Sequence, residues 1–315
     1  MILIHTQKLS DCMDLVRSNR PEYIKAIDPD VESAKECESL GVKLIVRHNG
    51  AWDNEDYIDP GSFVNNCASQ PWFPYAWAVE TPNEPHPGDA DWMAAVVAGF
   101  EQLRKVCVVG NWGTGWDGFY VEGADYYGTH EYGWPTLTSQ MPYQALRHQE
   151  WFEQEVLTRN PNAKLFITEC GVTQMVLGRE DIGWRSGDIF PWEYAYSLSN
   201  YHNQLRSYVI GMMVFQFGVY SPWETFDCLG VPELEALLSG QSSDNQNEGD
   251  TAVNQAQMNE INELASIARN YQKYFGALAD VSEGTYGNGF VDTVNRRRED
   301  EMKGFADRIS NLPNL

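Results

Sequence analysis

The sequence predicts an α/β protein, a (β/α)8 TIM barrel with a C-terminal helical extension. Eight short runs rich in β-branched and aromatic residues recur between residues 2 and 217, and turn residues and helical patterns separate them. Because strands and helices alternate, the connections are crossovers and the sheet is parallel. Eight such units suit a closed barrel, whose functional site lies at the C-terminal ends of the strands.

The eight predicted strands end in polar or ionisable side chains. The strands cover residues 2–6, 23–28, 43–49, 75–80, 105–111, 125–131, 164–169 and 211–217. The groups at their ends are His5, Asp28, Arg47 with His48, Asn83 with Glu84, Asn111, His130 with Glu131, Glu169, and Gln216. We therefore expect these groups to gather at one mouth of the barrel.

Helical patterns fill two of the connections and part of the C-terminal region. Residues 89–105 place Met93, Val96, Val97, Phe100 and Leu103 on one face, after an Asp start signal. Residues 142–161 form a second helical pattern, with a proline near its start and Asn-Pro at its end. We divide the chain into a catalytic barrel at 1–235, a polar linker at 236–250, a closing helix at 251–276 and an extended tail at 277–315.

Composition bounds the class of function. The 315 residues are 43% hydrophobic and 13% aromatic, which is ample for a sizeable core, and the net charge is -23. That charge repels nucleic acid and anionic membranes. We find no signal-peptide pattern and no apolar window long enough to span a membrane, and we expect a soluble protein, with secretion and oligomeric state left open. Six cysteines without C-x-x-C spacing predict buried free thiols.

Two glutamates stand where apolar runs stop and the backbone is fixed. Glu84 lies in "TPNEPHPG", where prolines flank it, and Glu169 lies in "ITECG", where a glycine follows two residues later. Retaining glycoside hydrolysis uses two such groups, one to protonate the leaving oxygen and one to attack the anomeric carbon. A nucleophile that must stay ionised also needs a nearby cation, such as Arg47. We expect no cofactor and no metal.

"WAVETPNEP" and "LFITECG", each at the end of a predicted strand, resemble clan A (the 4/7 superfamily) of (β/α)8 glycoside hydrolases. The clan includes cellulase-like and mannanase-like enzymes, and the resemblance covers about residues 1 to 235. It implies that Glu84 is the acid/base, that Glu169 is the nucleophile and that Asn83 binds the sugar 2-hydroxyl. It also implies that Arg47 orients the nucleophile, although many members carry that arginine on strand two, and that His130 or Tyr132 touches it.

One position departs from the clan's pattern and leaves the sugar undefined. The clan usually carries a tryptophan at the end of strand eight, whereas this chain has Gln216 between two phenylalanines. Trp223, shortly after, is a substitute. Tryptophans in loops after strands are suited to stacking on sugar rings, and we choose Trp52, Trp134 and Trp223 as platforms, with His48 and Gln216 as further substrate-binding groups.

Four acidic residues have competing interpretations. Glu80 lies within a strand, and we expect it to be a buried structural carboxylate that needs partners. Glu131 either supports the site or is a solvated loop group. Asp28 either binds sugar or, the interpretation that we favour, caps the next helix. Glu224 is a subsite or loop residue rather than a catalytic one.

Two other functions compete with glycoside hydrolysis. One is a metal-dependent barrel hydrolase, because His5, His48, His86 and His130 gather near strand ends, although strand one lacks the His-x-His that such enzymes use. The other is a catalytically silent, glycan-binding barrel acting as a receptor-binding or structural component. Intact Glu84 and Glu169 argue against it, because binding alone needs no reactive pair.

Overall fold

The chain folds into a closed barrel of eight parallel strands that pair in chain order. The computed structural model describes residues 1–49, 59–84, 89–139, 145–177, 182–186, 189–218 and 221–239. The strands are β1 (Ile2–Thr6), β2 (Tyr23–Ile27), β3 (Lys43–Arg47), β4 (Ala78–Glu80), β5 (Val106–Trp112), β6 (Tyr126–Gly133), β7 (Lys164–Val172) and β8 (Val209–Phe215). All eight predicted strands, and the fold class, are confirmed.

Some strand bounds differ from the predicted ones. β4 is short because Phe73–Tyr75, at its predicted start, form a 3-10 turn that contains Pro74. β6 and β7 run further than predicted, and they pair with each other as far as Gly133 and Val172. The longer pairing adds Tyr132 and Gly133 to the barrel wall, where the sequence predicted a loop.

A helix follows every strand except β5, whose connection to β6 at residues 113–125 contains no helix. The helices are α1 (Leu9–Asn19), α2 (Val31–Ser39), α3 (Pro60–Ser69), α4 (Ala90–Gln102), α5 (His148–Trp151), α6 (Pro191–His202) and α7 (Pro232–Ser239). The α4 stripe is buried at Met93, Val96, Val97 and Phe100, whereas Leu103 follows the helix and is 43% exposed. The second predicted helix begins only at His148 within the described residues and continues as a π turn over Phe152–Val156.

α7 crosses the predicted boundary between the barrel and the linker at 235/236. Residues 1–243 form one compact unit. The rest of the predicted linker, the closing helix at 251–276 and the tail at 277–315 lie outside the described residues.

Alternation along the strands stacks the barrel interior in layers. One layer is apolar and contains Leu3, Tyr23, Ile45, Ala78, Val108, Phe166 and Met213. Side chains two residues apart on a strand point to the same face. The next inward positions on the first four strands are therefore His5, Lys25, Arg47 and Glu80, all of them buried. This polar layer is the floor of the site.

The outward faces of the strands pack against the helices in a second, larger hydrophobic core. All six cysteines are buried and free, as predicted. Within the described part of the chain, no helix has the length and apolarity needed to cross a membrane.

Candidate active site

Glu169 lies on β7 with its side chain inside the barrel, where residues from four other strands surround it. It is 7% exposed. Arg47 Nη1 lies 2.7 Å from Oε1, and the Tyr132 hydroxyl donates to Oε2 at 3.1 Å. Three further nitrogen atoms lie around the carboxylate: Lys25 Nζ at 3.4 Å, His130 Nδ1 at 3.7 Å and His5 Nε2 at 4.0 Å. The predicted Arg47 and both predicted β6 groups thus meet the predicted nucleophile.

The charges around Glu169 keep it ionised. Burial by itself raises the pKa of the Glu169 carboxyl, but His130, Arg47 and Lys25 outweigh burial and hold the pKa well below its ordinary value. Burial lowers the pKa of the Arg47 guanidinium, yet Glu169 and Glu80 raise it above its usual range. Glu169 is therefore a carboxylate throughout the neutral range.

Lys25 is the residue of this site that the sequence did not reveal. It is fully buried on β2, and its Nζ lies 2.9 Å from Glu80 Oε2 and 3.4 Å from Glu169 Oε1. Glu80 is also fully buried, so the structure supplies the partner that we expected this carboxylate to need. The signal in the sequence was a lone lysine at an inward position of an otherwise apolar strand.

Glu84 follows β4 on a backbone that sets its direction. Its φ of 50° lies in the left-handed region, which residues other than glycine seldom adopt and which tends to occur at functional sites. Its backbone N–H donates to the Asn111 carbonyl at 3.2 Å. The side chain is 51% exposed, so a substrate can reach it. Pro85 and Pro87 lie outside the described residues.

His130 links the two carboxyl groups. Its Nδ1 lies 3.2 Å from Glu84 Oε1 and 3.7 Å from Glu169 Oε2. These distances limit the separation of the two oxygen atoms to at most about 6.9 Å (3.2 plus 3.7 Å). The limit accommodates the separation of about 5 to 5.5 Å between the carboxyl groups of retaining glycosidases.

Gly113 leaves room for the Glu84 carboxyl. A Cβ at this position would lie 2.8 Å from Glu84 Cδ and 3.0 Å from each carboxyl oxygen. We expect Gly113→Ala to displace the carboxyl without unfolding the protein, since only the end of a side chain must move. Because misplacement by about 1 Å can cost about 10²-fold in rate, kcat/KM should fall by about that factor with Tm unchanged.

The control for Gly113→Ala is Asp117→Ala in the same loop, whose carboxylate is 75% exposed. It should keep both kcat/KM and Tm. Wild-type activity in a folded Gly113→Ala protein would contradict the positioning of Glu84 by this close contact.

Asn83 and Arg47 are held together above Glu169. Arg47 Nη1 donates to Asn83 Oδ1 as well as to Glu169 Oε1. Asn83 is exposed and Arg47 is buried. The Arg47 guanidinium therefore holds two groups in place: the Asn83 amide, which we predicted to face a sugar, and Glu169, the predicted nucleophile.

His48 and Asp28 form a second polar pair at the mouth. The His48 ring binds Asp28 Oδ1, and the Asn49 backbone N–H donates to Asp28 Oδ2 at 2.9 Å. The favoured interpretation of Asp28 as a helix cap is wrong, because Asp30 caps α2 by accepting from the Ser33 N–H. Asp28 instead lines a cavity with Gln7, Ile27, Asn49, Ser221 and Trp223.

The predicted aromatic platforms have different surroundings. Trp223 lines the cavity and packs edge-on to Phe215, with ring centroids 5.7 Å apart. Trp134 is partly buried against the outer core, and Trp52 lies outside the described residues. Gln216 is fully buried, and its side-chain amide has no hydrogen-bond partner among the described residues.

Glu131 neither supports the site nor faces solvent, so both interpretations of it are wrong. It lies between two inward residues of β6, and alternation turns it outward. It binds His148 Nδ1 at 2.6 Å, the Tyr201 hydroxyl, and the backbone N–H groups of Leu146 and His148. Burial opposes its ionisation, but His148 and these hydrogen bonds hold its pKa below the ordinary value. Glu131 joins β6 to α5 and α6.

We expect Glu131→Ala to lower the free energy of unfolding by about 3 kcal/mol or more, because several buried hydrogen-bond donors then have no acceptor. Urea denaturation measures this, with Glu150→Ala on the exposed face of α5 as the control. Because the pKa of Glu131 is depressed by folding, its stabilisation is present above the ordinary carboxyl pKa and is lost as pH falls through the folded value. The difference from wild type should therefore shrink in acid, and an equal loss of stability in both variants would contradict this role.

The described histidines at the strand ends do not assemble a metal site. Among the described residues, no three His, Cys, Asp or Glu side chains are grouped so that they could hold a metal ion. His5, His48 and His130 contact carboxylates instead, and His86 lies outside the described residues.

Compared by sequence, the chain matches no family profile and no curated protein. Among solved structures it is similar to ScGas2 in complex with compound 9 (11% identity, TM-score 0.44), with 75% of this chain and 60% of that chain covered. It is similar to the β-glucanase SdGluc5_26A from Saccharophagus degradans in complex with cellotetraose (12% identity, TM-score 0.46), with 75% and 86% covered. A GH128 endo-β-1,3-glucanase from Pseudomonas viridiflava gives 12% identity and a TM-score of 0.42, with 76% and 95% covered.

Proposed function

We propose that this protein is a retaining glycoside hydrolase that cleaves a β-glycosidic bond of an oligo- or polysaccharide through a covalent glycosyl-enzyme. One observation carries the proposal. A buried, ionised carboxylate on β7 and a half-exposed carboxyl after β4 both lie within 3.7 Å of one imidazole nitrogen at the barrel mouth. These two groups support double displacement, since the limit of about 6.9 Å between their oxygens includes the separation that it needs.

In the first step Glu169 attacks the anomeric carbon. The bond from that carbon to the leaving oxygen breaks, and the Glu84 proton passes to the leaving oxygen. Arg47 and Tyr132 hold the attacking carboxylate in place through its two oxygens. Asn83, fixed by Arg47, is placed to bind the sugar 2-hydroxyl, an interaction that strengthens in the transition state.

In the second step water attacks the anomeric carbon of the ester. Glu84, now a carboxylate, takes the proton of the water, and Glu169 departs as a carboxylate. The configuration at the anomeric carbon is inverted twice and so retained.

The cavity beside Trp223 supports a carbohydrate as the substrate. It combines an indole with the carboxylate of Asp28 and the amides of Gln7 and Asn49. Flat aromatic faces stack on sugar rings, while carboxylates and amides bind hydroxyl groups. His48, bound to Asp28, orients this carboxylate.

The experiment is hydrolysis of a panel of aryl β-glycosides and β-linked oligosaccharides, with the anomer of the first product followed by NMR. We expect β product from β substrate at early times. An α product would replace the retaining mechanism by an inverting one. A glycan that binds wild type, Glu84→Gln and Glu169→Gln equally, and is never cleaved, would instead indicate a glycan-binding barrel.

A further inference from the structure

Lys25 and Glu80 form a fully buried ion pair directly against Glu169. The Lys25 ammonium has three N–H donors, and three acceptors lie around it: Glu80 Oε2 at 2.9 Å, the Thr168 carbonyl at 3.2 Å and Glu169 Oε1 at 3.4 Å. Both Lys25 and Glu80 are 0% exposed. Neither residue is needed for the proton transfers or the attack described above.

A buried ion pair is costly to build, and a hydrophobic pair of similar size is often as stable. Arg47, at 2.7 Å, already gives Glu169 a counter-ion. A second buried cation therefore calls for a reason in the chemistry of Glu169, whose charge disappears and returns in each proposed catalytic cycle.

We propose that Lys25 and Glu80 are positioning residues that keep Glu169 charged and aligned and limit the excess positive charge when Glu169 is glycosylated. The inference rests on the proposed function. In the free enzyme the two cations, Lys25 and Arg47, balance the two carboxylates, Glu80 and Glu169. In the glycosyl-enzyme Glu169 is neutral, and Glu80 remains to balance Lys25.

Other charged and titratable groups face Glu169 from the surrounding strands. They are His5 on β1, Arg47 on β3, Glu80 on β4, Glu84 after β4, and His130 and Tyr132 on β6. Burial and the nearby Lys25 hold the pKa of His5 well below its ordinary value, so His5 is a neutral neighbour. Burial lowers the pKa of the Lys25 ammonium, and the carboxylates of Glu80 and Glu169 oppose that shift. Lys25 and Arg47 are the cations that pair with carboxylates in this set.

The test compares Lys25→Met, Lys25→Arg, Glu80→Gln and the double variant Lys25→Met with Glu80→Gln. The Glu169 carboxyl is titrated by NMR in protein labelled with 13C at the glutamate carboxyls, and its signal is assigned from Glu169→Gln. The double variant removes one cation and one anion, but Lys25 contacts Glu169 at 3.4 Å and lowers its pKa, whereas Glu80 is not among its main electrostatic partners. We therefore expect the Glu169 titration to move up by about half a pH unit or more. Lys25→Arg should restore a low value, which a purely steric role would not require.

Kinetics on a cleaved aryl glycoside give the second reading. The acid limb of kcat/KM should follow the NMR titration upward in the double variant. In Glu80→Gln, Glu169 is the one carboxylate that still contacts Lys25. The pH of the acid limb of kcat/KM should therefore stay low. The kcat/KM of Glu80→Gln should fall about tenfold, because formation of the neutral ester leaves both cations without a carboxylate to balance them.

Lys25→Met alone leaves Glu80 unpaired and can fail to fold. The double variant removes both charges, and its titration is therefore the deciding measurement. An unchanged Glu169 titration in the folded double variant would overturn the proposal. The NMR titration needs no substrate. If the wild type cleaves nothing but the variants show the expected NMR shifts, the hydrolase function is contradicted, whereas the electrostatic coupling of Lys25 to Glu169 is supported.

Discussion

Glu169→Ala should abolish hydrolysis of an aryl β-glycoside, with kcat reduced by at least about 10⁴-fold. The change removes the attacking oxygen and leaves the cations that surround it. Arg47 contacts this carboxylate at 2.7 Å and Tyr132 at 3.1 Å, so Tyr132 loses this acceptor and Arg47 keeps its bond to Asn83. The measurement is initial-rate kinetics on the substrate that the wild type cleaves fastest.

Azide rescue is the more specific test of the role of Glu169 in this variant. It can enter the space of the missing carboxylate and attack the anomeric carbon while Glu84 protonates the leaving oxygen. The product should be the α-glycosyl azide, since one displacement inverts the β configuration. The control is Glu101→Ala on the exposed face of α4, which should hydrolyse at the wild-type rate. Wild-type hydrolysis by Glu169→Ala, or a β-azide from it, would assign the nucleophile elsewhere.

The fold could be predicted because it depends on the period of the apolar residues within each element and on the order of strands and helices along the chain. Eight apolar runs alternating with helical patterns fix a parallel barrel whatever the loop details are, and errors in the bounds of β4 or β6 leave the topology unchanged. The same rule located Glu84, Arg47 and Glu169, since each closes an apolar run.

What the sequence did not reveal depended on which way a side chain points. Glu131 is next to His130, and adjacency suggested a shared role, yet neighbours on a strand face opposite sides. Its partners, His148 and Tyr201, are far away in the chain. Lys25 was hidden because its contacts to β4 and β7 come from closure of the barrel, which no local pattern encodes.

Asp28 was misassigned for a related reason. Both Asp28 and Asp30 precede α2, and either fits the chemistry of a cap. The helix uses Asp30. The left-handed backbone of Asp28, with φ of 40°, accompanies the bonds of its carboxylate to His48 and Asn49, which directly follow β3.

Glu84→Ala should show a loss that depends on the leaving group. A natural glycan needs its leaving oxygen protonated, so its kcat/KM should fall by about 10³-fold or more, the range for general acid catalysis. A dinitrophenyl glycoside leaves without a proton, so formation of its glycosyl-enzyme should be nearly as fast as in wild type. Breakdown still lacks the base, and the covalent intermediate should accumulate as a burst of dinitrophenolate.

Azide separates the two carboxyl groups by the stereochemistry of its product. In Glu84→Ala it needs no deprotonation and attacks the glycosyl-enzyme formed on Glu169, so two displacements give the β-glycosyl azide and the slow second step is accelerated. The same reagent thus gives α product from Glu169→Ala and β product from Glu84→Ala. Identical azide anomers from both variants would contradict the assignment of roles, because only one of the two carboxyl groups can be the nucleophile.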